Sequence, residues 1–147
     1  MLGGVEIPFE KGLLGHSDSD VLSHAICDAL LGAAAVGDIG AHFPDTDPRW
    51  AGASSLAFLA HAVELITDSG YHIANVDATV LAEQPRLRPH IQAMRESLAS
   101  ALQIEVDQIN IKAKTNEGLE SIGRGEAMAA HAVALLTALQ ASNAKLE

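Results

Sequence analysis

Residues 16–28 contain the densest run of side chains capable of catalysis or metal binding. The sequence HSDSD fills positions 16–20, and His24 and Asp28 follow Asp20 at four-residue intervals. On a helix this spacing puts Asp20, His24 and Asp28 on one stripe, where a carboxylate can orient the imidazole and strengthen it as a metal ligand. The alternative is a capped helix start with solvated acids and a partly buried histidine. We favour a site, because so many acids and histidines are unusual on the first turns of an otherwise apolar helix.

A second candidate is Asp38, which lies between Gly37 and Gly40 just beyond that helix. Its carboxylate could reach the hydroxyl groups of a ligand, and the sequence favours neither this role nor a structural one. Two later acids, each beside a proline, are typical of turns: Asp45 and Asp47.

The segment KAKTNEGLE combines two lysines with a turn. Lys112 and Lys114 point the same way from a predicted strand, and the turn contains Thr115, Glu117 and Gly118. Such a turn could cradle a phosphate and offer a carboxylate to Mg²⁺. Spacing alone favours the alternative, in which the lysines form the exposed face of a half-buried strand.

The remaining reactive side chains give weaker signals. Arg124 and Glu126 in GRGE either pair locally or mark a subunit contact. Cys27 has no activating base nearby in sequence, so we expect a core residue rather than a nucleophile. Five histidines receive no assignment: His42, His61, His72, His90 and His131.

Composition excludes several functional classes. The 147 residues are 48% hydrophobic and 19% charged, which predicts a single domain over residues 1–147 with a frayed tail at 141–147. A net charge of -10 disfavours nucleic-acid binding, which depends on many Lys and Arg contacts to phosphate. No apolar segment is long enough to span a membrane. A single cysteine rules out an intrachain disulfide and favours a cytoplasmic location.

Periodicity and capping residues predict strands alternating with helices. The strands are Val5–Phe9, 71–82 and Ile109–Ala113. The helices run from Asp18 or Ser19 to Gly37, from Ser54 or Ser55 to Gly70, from Pro89 to about Leu102, and from Glu126 to Gln140, while residues 37–52 are predicted as loop. This order predicts an α+β two-layer sandwich, a mixed β-sheet with helices on one face. The other face would need oligomerisation to cover its apolar side chains.

Three stretches carry a family resemblance when they are considered together. They are GGVEIPFEKGLLGHSDSDVLSHAICDALLGAAAVGDIGAHFPDTDP, NVDATVLAEQPRLRPHI and INIKAKTNEGLESIGRGE. In this order and at these separations they resemble the 2-C-methyl-D-erythritol 2,4-cyclodiphosphate synthase family, from Gly3 to about Leu139. The resemblance implies a homotrimer with its sheets around the threefold axis and active sites between neighbouring subunits.

The resemblance also implies a phosphorus–oxygen lyase of non-mevalonate isoprenoid biosynthesis. The family converts 4-diphosphocytidyl-2-C-methyl-D-erythritol 2-phosphate to the cyclic diphosphate, with release of CMP. The 2-phosphate attacks the β-phosphorus, so catalysis depends on in-line positioning and on cations that neutralise the phosphates.

Matching motifs imply substrate contacts at several positions of this sequence. His16 and Ser17 would meet the 2-phosphate, and Asp38 and Gly40 would hold the methylerythritol hydroxyls. Thr115 would contact the phosphates. The cytidine pocket would be lined through backbone groups of six residues: Ala82, Glu83, Gln84, Pro85, Arg86 and Leu87.

The same motifs imply two divalent metals and an additional cavity. His24 would ligate a zinc-type ion, and Glu117 would hold a second ion, Mg²⁺ or Mn²⁺. Arg124, counted among the substrate-binding residues, would lie with Glu126 near an axial cavity that resembles a site for isoprenoid diphosphates.

One feature departs from the family pattern. Family members open with a strand ending in an Asp-x-His pair that supplies two of the three protein ligands of the first metal, whereas this sequence begins at Met1-Leu2-Gly3. The expectation is that this strand is missing, so that His24 alone matches the ligand set and activity is in doubt. Asp20 is an alternative substitute ligand. The rival functions are an impaired trimeric binding module for cytidine nucleotide or isoprenoid diphosphate and, less favoured, a phosphohydrolase built on the Asp20 stripe.

Overall fold

The computed structural model describes residues 1–9 and 20–140 of the chain. Its helices are α1 (Val21–Ala33), α2 (Ile39–His42), α3 (Ser55–Asp68), α4 (Ile91–Leu102) and α5 (Glu120–Gly123), and its strands are β1 (Tyr71–Leu81), β2 (Ile109–Lys114) and β3 (Ala129–Ala138). Short 3-10 turns occupy Pro48–Trp50, Arg88–His90 and Val106–Gln108. In this part of the chain, no helix is both long and apolar enough to cross a membrane.

The sheet has the strand order β2-β1-β3, with β1 in the centre. β1 is parallel to β2 and antiparallel to β3. The parallel pair follows from the connection through α4, because two parallel neighbours require a long crossover. α1, α3 and α4 all pack against the sheet. The prediction of an α+β fold with a mixed sheet is confirmed.

Helices α1, α3 and α4 build the core with the inward residues of β1. The fully buried large side chains of these elements include Leu22, Ile26, Leu30, Leu59, Ile66, Val76, Val80, Met94, Leu98 and Leu102. Ser54 caps α3, with its Oγ accepting a hydrogen bond from the Ala57 amide. The predicted loop at 37–52 is partly wrong, because it contains α2 and a 3-10 turn, each capped by an aspartate.

The predicted helix at 126–140 is wrong, because most of this segment forms β3. Even-numbered residues from Ala130 to Leu136 are half-buried, while odd-numbered residues from His131 to Thr137 are exposed. The exposed positions include the apolar side chains of Val133 and Leu135. A strand with apolar residues on both faces shows no alternation of apolar and polar residues. Its alanines and leucines therefore predict a helix instead.

The predicted strand at Val5–Phe9 is also wrong. Leu2 and Val5 exchange two backbone hydrogen bonds, of 2.8 and 3.0 Å, around Gly3 and Gly4. Both glycines have positive φ, as a two-residue primed turn requires. Gly4 has no room for a side chain, because a Cβ there would collide with Ser97 and Leu56. Of the predicted run only Val5 belongs to this turn, and residues 6–9 form no helix or strand.

Asp20 joins this turn to α1. Its Oδ1 accepts hydrogen bonds from the amides of Gly3 (2.8 Å) and Ser23 (2.9 Å), and its Oδ2 accepts one from Gly4 (2.7 Å). The side chain is fully buried. Asp20, rather than the predicted Asp18 or Ser19, is thus the helix cap, and it also anchors the first residues of the chain.

We expect Asp20→Ala to lower the free energy of unfolding by about 2–4 kcal/mol. A lost cap costs about 1 kcal/mol, and each buried amide left without a partner costs about 1–3 kcal/mol. Urea unfolding measures the change. Asp68→Ala, at the exposed end of α3, is the control and should change stability by about 0.5 kcal/mol or less. A similar small effect for both variants would contradict the anchoring role.

Candidate active site

His24 lies half-buried on α1 and faces the start of α3. Its Nε2 and the buried Ser55 Oγ are 2.9 Å apart, and its ring stands 6.0 Å from that of Phe58, centroid to centroid. The carboxylates of the predicted stripe are directed elsewhere, because Asp20 and Asp28 accept hydrogen bonds from backbone amides. The stripe therefore extends from the cap to the middle of α1, and each of its three side chains has a separate partner.

Asp28 and Asp38 together hold the first turn of α2. Asp28 Oδ1 accepts from the Ile39 amide, and Asp38 Oδ1 accepts from the Ala41 amide, both at 2.9 Å. Asp38 and Gly40 are exposed. These contacts present Asp38 and Gly40 on a fixed turn beside α1.

A cavity of about 870 Å³ lies between α1, α2 and the start of α3. His24, Asp45 and Asp47 are among its lining residues. Its wall contains aromatic rings in contact: Phe43 lies 4.7 Å from both Trp50 and Phe58, centroid to centroid. The acids predicted as ordinary turn residues thus border the same cavity as His24. Asp47 also accepts hydrogen bonds from Arg49, which lower the pKa of its carboxyl.

A second cavity, of about 430 Å³, lies where β1 and β2 end. Its wall combines the loop after β1 with the end of β2, over residues 82–88 and 113–115. The Ala82 amide donates to the Lys114 carbonyl at 2.9 Å, so the two segments run side by side. The structure thereby brings together the six residues predicted for the cytidine pocket and Thr115, predicted for the phosphates.

The turn after β2 has a constrained backbone. Glu117 has φ of 50° and Gly118 has φ of 75°. Gly123 packs directly against Gly118, so a Cβ added at position 123 would collide with the Gly118 backbone. The Glu117 amide donates to Thr115 Oγ1 at 3.4 Å, and both residues are exposed. This geometry presents a hydroxyl and a carboxylate next to the second cavity.

Arg124 follows this turn and forms a two-bond pair with Glu126, with N–O distances of 3.0 and 3.1 Å. The pairing raises the pKa of the Arg124 guanidinium, through the hydrogen bond first and charge attraction second. Arg124 also lines a third cavity, of about 720 Å³, together with Pro8, Phe9 and Gln84. Of the two alternatives in the sequence, local pairing is the one that the described chain forms.

Comparison with known proteins identifies the family of this site. A family model described as the YgbB family matches residues 1–137. The chain is similar to 2-C-methyl-D-erythritol 2,4-cyclodiphosphate synthase from Trichlorobacter lovleyi, with 62% identity over 92% of this chain and 87% of that protein. The chain belongs to the YgbB family. The predicted resemblance is confirmed.

Solved structures agree with this assignment. The YgbB-family fold is similar to that of a 2C-methyl-D-erythritol-2,4-cyclodiphosphate synthase in a form bound to CDP, with TM-score 0.86, 40% identity, and coverage of 93% of this chain and 89% of that one. It is also similar to the bifunctional IspDF from Campylobacter jejuni, with TM-score 0.90 and 41% identity. That match covers 95% of this chain and 38% of the bifunctional protein.

The metal sites expected for a YgbB-family chain are not complete in the described residues. Within positions 1–9 and 20–140, no three His, Cys, Asp or Glu side chains lie close enough to hold a metal ion together. Asp20, the alternative ligand, is fully buried, and both of its carboxylate oxygens accept backbone hydrogen bonds. His16 and Ser17 lie outside the described residues.

Sequence reasoning missed the side chains of Ser55 and Glu83. Ser55 reaches His24, and Glu83 Oε2 accepts a hydrogen bond from the Asn116 amide at 3.0 Å. Both contacts join segments more than thirty residues apart. Neither has a local sequence signal, although parallel β1 and β2 would have placed Glu83 near the turn after β2.

Cys27 is a core residue, as predicted. Burial, with a smaller contribution from the charge of Asp28, raises the pKa of its thiol from 9.0 to about 12. We expect iodoacetamide to label the native protein at pH 8 far more slowly than the urea-unfolded protein, measured by mass spectrometry. Because the folded pKa is the higher one, the stabilisation from the neutral thiol is complete below pH 9.0 and is lost as pH rises toward 12. Equal labelling rates for the native and the unfolded protein would contradict the burial of the Cys27 thiol.

Proposed function

We propose that this chain converts 4-diphosphocytidyl-2-C-methyl-D-erythritol 2-phosphate to 2-C-methyl-D-erythritol 2,4-cyclodiphosphate and CMP, in the cytoplasm, as a step of non-mevalonate isoprenoid biosynthesis. The observation that carries the proposal is family membership across residues 1–137, together with a relative named 2-C-methyl-D-erythritol 2,4-cyclodiphosphate synthase that is 62% identical. An oxygen of the 2-phosphate forms a bond to the β-phosphorus. The bond from that phosphorus to the bridging oxygen breaks, and CMP leaves with this oxygen.

The cytidine end of the substrate is proposed to occupy the cavity at the ends of β1 and β2. Six residues after β1 line this cavity, and their backbone groups would recognise the base: Ala82, Glu83, Gln84, Pro85, Arg86 and Leu87. The 430 Å³ volume and the CDP-bound form of a similar protein support this. Holding the nucleoside fixed would orient the diphosphate for in-line attack.

Five further residues complete the proposed substrate contacts. Thr115, which lines the proposed cytidine cavity, would donate a hydrogen bond from its hydroxyl to the phosphates. Asp38 and Gly40 would bind the methylerythritol hydroxyls, for which the exposed turn of α2 is suited. His16 and Ser17 would meet the 2-phosphate. Together these groups would align the attacking oxygen with the β-phosphorus.

A homotrimer is proposed, with active sites between subunits and sheets around a threefold axis. Two observations support it. In the described residues, the His24 cavity and the Thr115 cavity share no lining residue. The sheet face opposite the helices also exposes Val133 (73%) and Leu135 (63%), which a monomer would leave in water. A neighbouring copy would cover this face and bring the two kinds of cavity together.

Two divalent ions are proposed as ligands of the site, a zinc-type ion at His24 and Mg²⁺ or Mn²⁺ at Glu117. Among the described residues, one side chain is proposed for each ion, and a bound cation would neutralise the charge of the phosphates. Arg124, with Glu126, is proposed to face an axial cavity for isoprenoid diphosphates. A diphosphate there would compete with Glu126 for the guanidinium.

Incubation of the chain with the cytidylyl substrate, Zn²⁺ and Mg²⁺ should release CMP and cyclic diphosphate in equal amounts, measured by chromatography and ³¹P NMR. Thr115→Val should lower turnover roughly 10- to 100-fold, because it removes a hydroxyl aimed at the phosphates. Thr67→Val, on the exposed face of α3, is the matched control and should retain full turnover. Nucleotide binding without turnover would support the binding module instead, and release of orthophosphate would support a phosphohydrolase.

The assembly is tested by Leu135→Glu. Wild-type protein should sediment at three times the mass of the chain, and the variant at a lower mass, because a buried carboxylate in each interface is costly. Ala93→Glu places the same charge on the exposed face of α4 and should remain trimeric. A wild-type protein that sediments as a single chain would refute the trimer.

A further inference from the structure

The side chain of Glu83 bridges the two loops that follow β1 and β2. It follows Ala82, whose amide is bonded to the Lys114 carbonyl at 2.9 Å. From this position Glu83 Oε2 reaches the Asn116 amide at 3.0 Å, in a partly buried contact. An ionised carboxylate makes this a charge-assisted hydrogen bond, stronger than one between neutral groups.

Asn116, whose amide is bound by Glu83, forms two hydrogen bonds within the turn that follows β2. Its carbonyl accepts from the Leu119 amide at 2.9 Å, and its side-chain amide donates to the Leu119 carbonyl at 2.8 Å. The next residue, Glu117, has a positive φ. A non-glycine residue keeps such a conformation only where its surroundings hold it there. Fixing the Asn116 amide therefore fixes the positions of its neighbours, Thr115 and Glu117.

Charge disfavours direct contact between the Glu83 carboxylate and the substrate. Glu83 borders both the 430 Å³ and the 720 Å³ cavities. A carboxylate facing a diphosphate would repel it, whereas a carboxylate held by an amide is partly neutralised. The side chain is thus better suited to holding protein than to binding phosphate.

We propose that the Glu83 side chain is a positioning residue that locks the turn at 115–118 onto the loop at 82–87, and so fixes the distance between the nucleoside and the reacting phosphates. This inference rests on the proposed function. The backbone of Glu83 lines the cytidine cavity, while its side chain sets where Thr115 and Glu117 stand.

Three variants test this role. Glu83→Ala removes the acceptor, Glu83→Gln keeps an acceptor oxygen at the same reach, and Glu96→Ala removes a glutamate from the exposed face of α4 as a control. Glu83→Ala should lower kcat about 10- to 100-fold, because a displacement of about 1 Å can cost that much. Glu83→Gln should recover most of kcat, and Glu96→Ala should match the wild type.

Binding of CMP separates positioning from direct recognition. CMP occupies the nucleoside side alone, so its Kd by calorimetry should change less than threefold in Glu83→Ala while kcat falls. A parallel loss of CMP affinity, an unchanged kcat, or a Glu83→Gln variant no better than Glu83→Ala would each overturn the proposal.

Amide hydrogen exchange tests the lock without any turnover. Peptides covering residues 115–118 should exchange faster in Glu83→Ala than in the wild type, with Glu83→Gln in between and Glu96→Ala unchanged. Equal exchange in all four proteins would overturn the proposal. A wild-type protein without turnover would refute the proposed function itself, and the exchange result would still decide whether Glu83 anchors the turn.

Discussion

Parallel pairing of β1 with β2 places the carboxyl ends of both strands at one edge of the sheet. The residues proposed to bind the nucleotide lie at that edge. The loop after β1 forms one wall of a cavity, and the end of β2 forms the other. In parallel sheets, ligands commonly bind beyond the carboxyl ends of the strands. α4 and its flanking turns form the crossover that allows this pairing. The helix therefore positions the cavity, although none of its residues line it.

The other half of the site is built differently. His24 lies on α1 beside an aromatic wall that includes Phe43 and Trp50, and Asp38 caps α2, whose first residue lines the same cavity. Helix ends, rather than strand ends, set the positions of these side chains. The two halves share no lining residue within the described part of one chain, and the sheet face opposite the helices is exposed. The proposed trimer would cover this face and join the two halves of the proposed site.

Much of the fold could be predicted from local signals. The apolar faces of α1, α3 and α4 and the alternation of β1 and β2 gave elements close to those observed. The prediction failed at β3, where Val133 and Leu135 are apolar on the face that the helices do not cover. A strand of this kind has the composition of a buried segment, and its identity depends on pairing with β1, which no local pattern encodes.

The candidate site was predictable to a smaller extent. Positions next to turns and a strand end made Asp38, Thr115 and Glu117 candidates only, and the roles proposed for them come from the family resemblance. The spacing of Asp20, His24 and Asp28 placed all three on α1 or at its cap, but it indicated neither the cap residue nor the partners of the side chains. The carboxylate of Asp20 serves two glycine amides that precede it by sixteen residues or more. Such long-range contacts leave no trace in local spacing.

The two edges of the described sheet differ in their capacity to recruit further strands. β2 is short and carries exposed lysines, one of which, Lys112, is paired with Asp77 at 2.6 Å. Lysines at an edge discourage unplanned pairing with other chains. β3 is longer, and its exposed side chains include no acid, lysine or arginine. During refolding at high protein concentration, aggregation would therefore begin at the β3 edge, and the yield of native protein would fall as concentration rises.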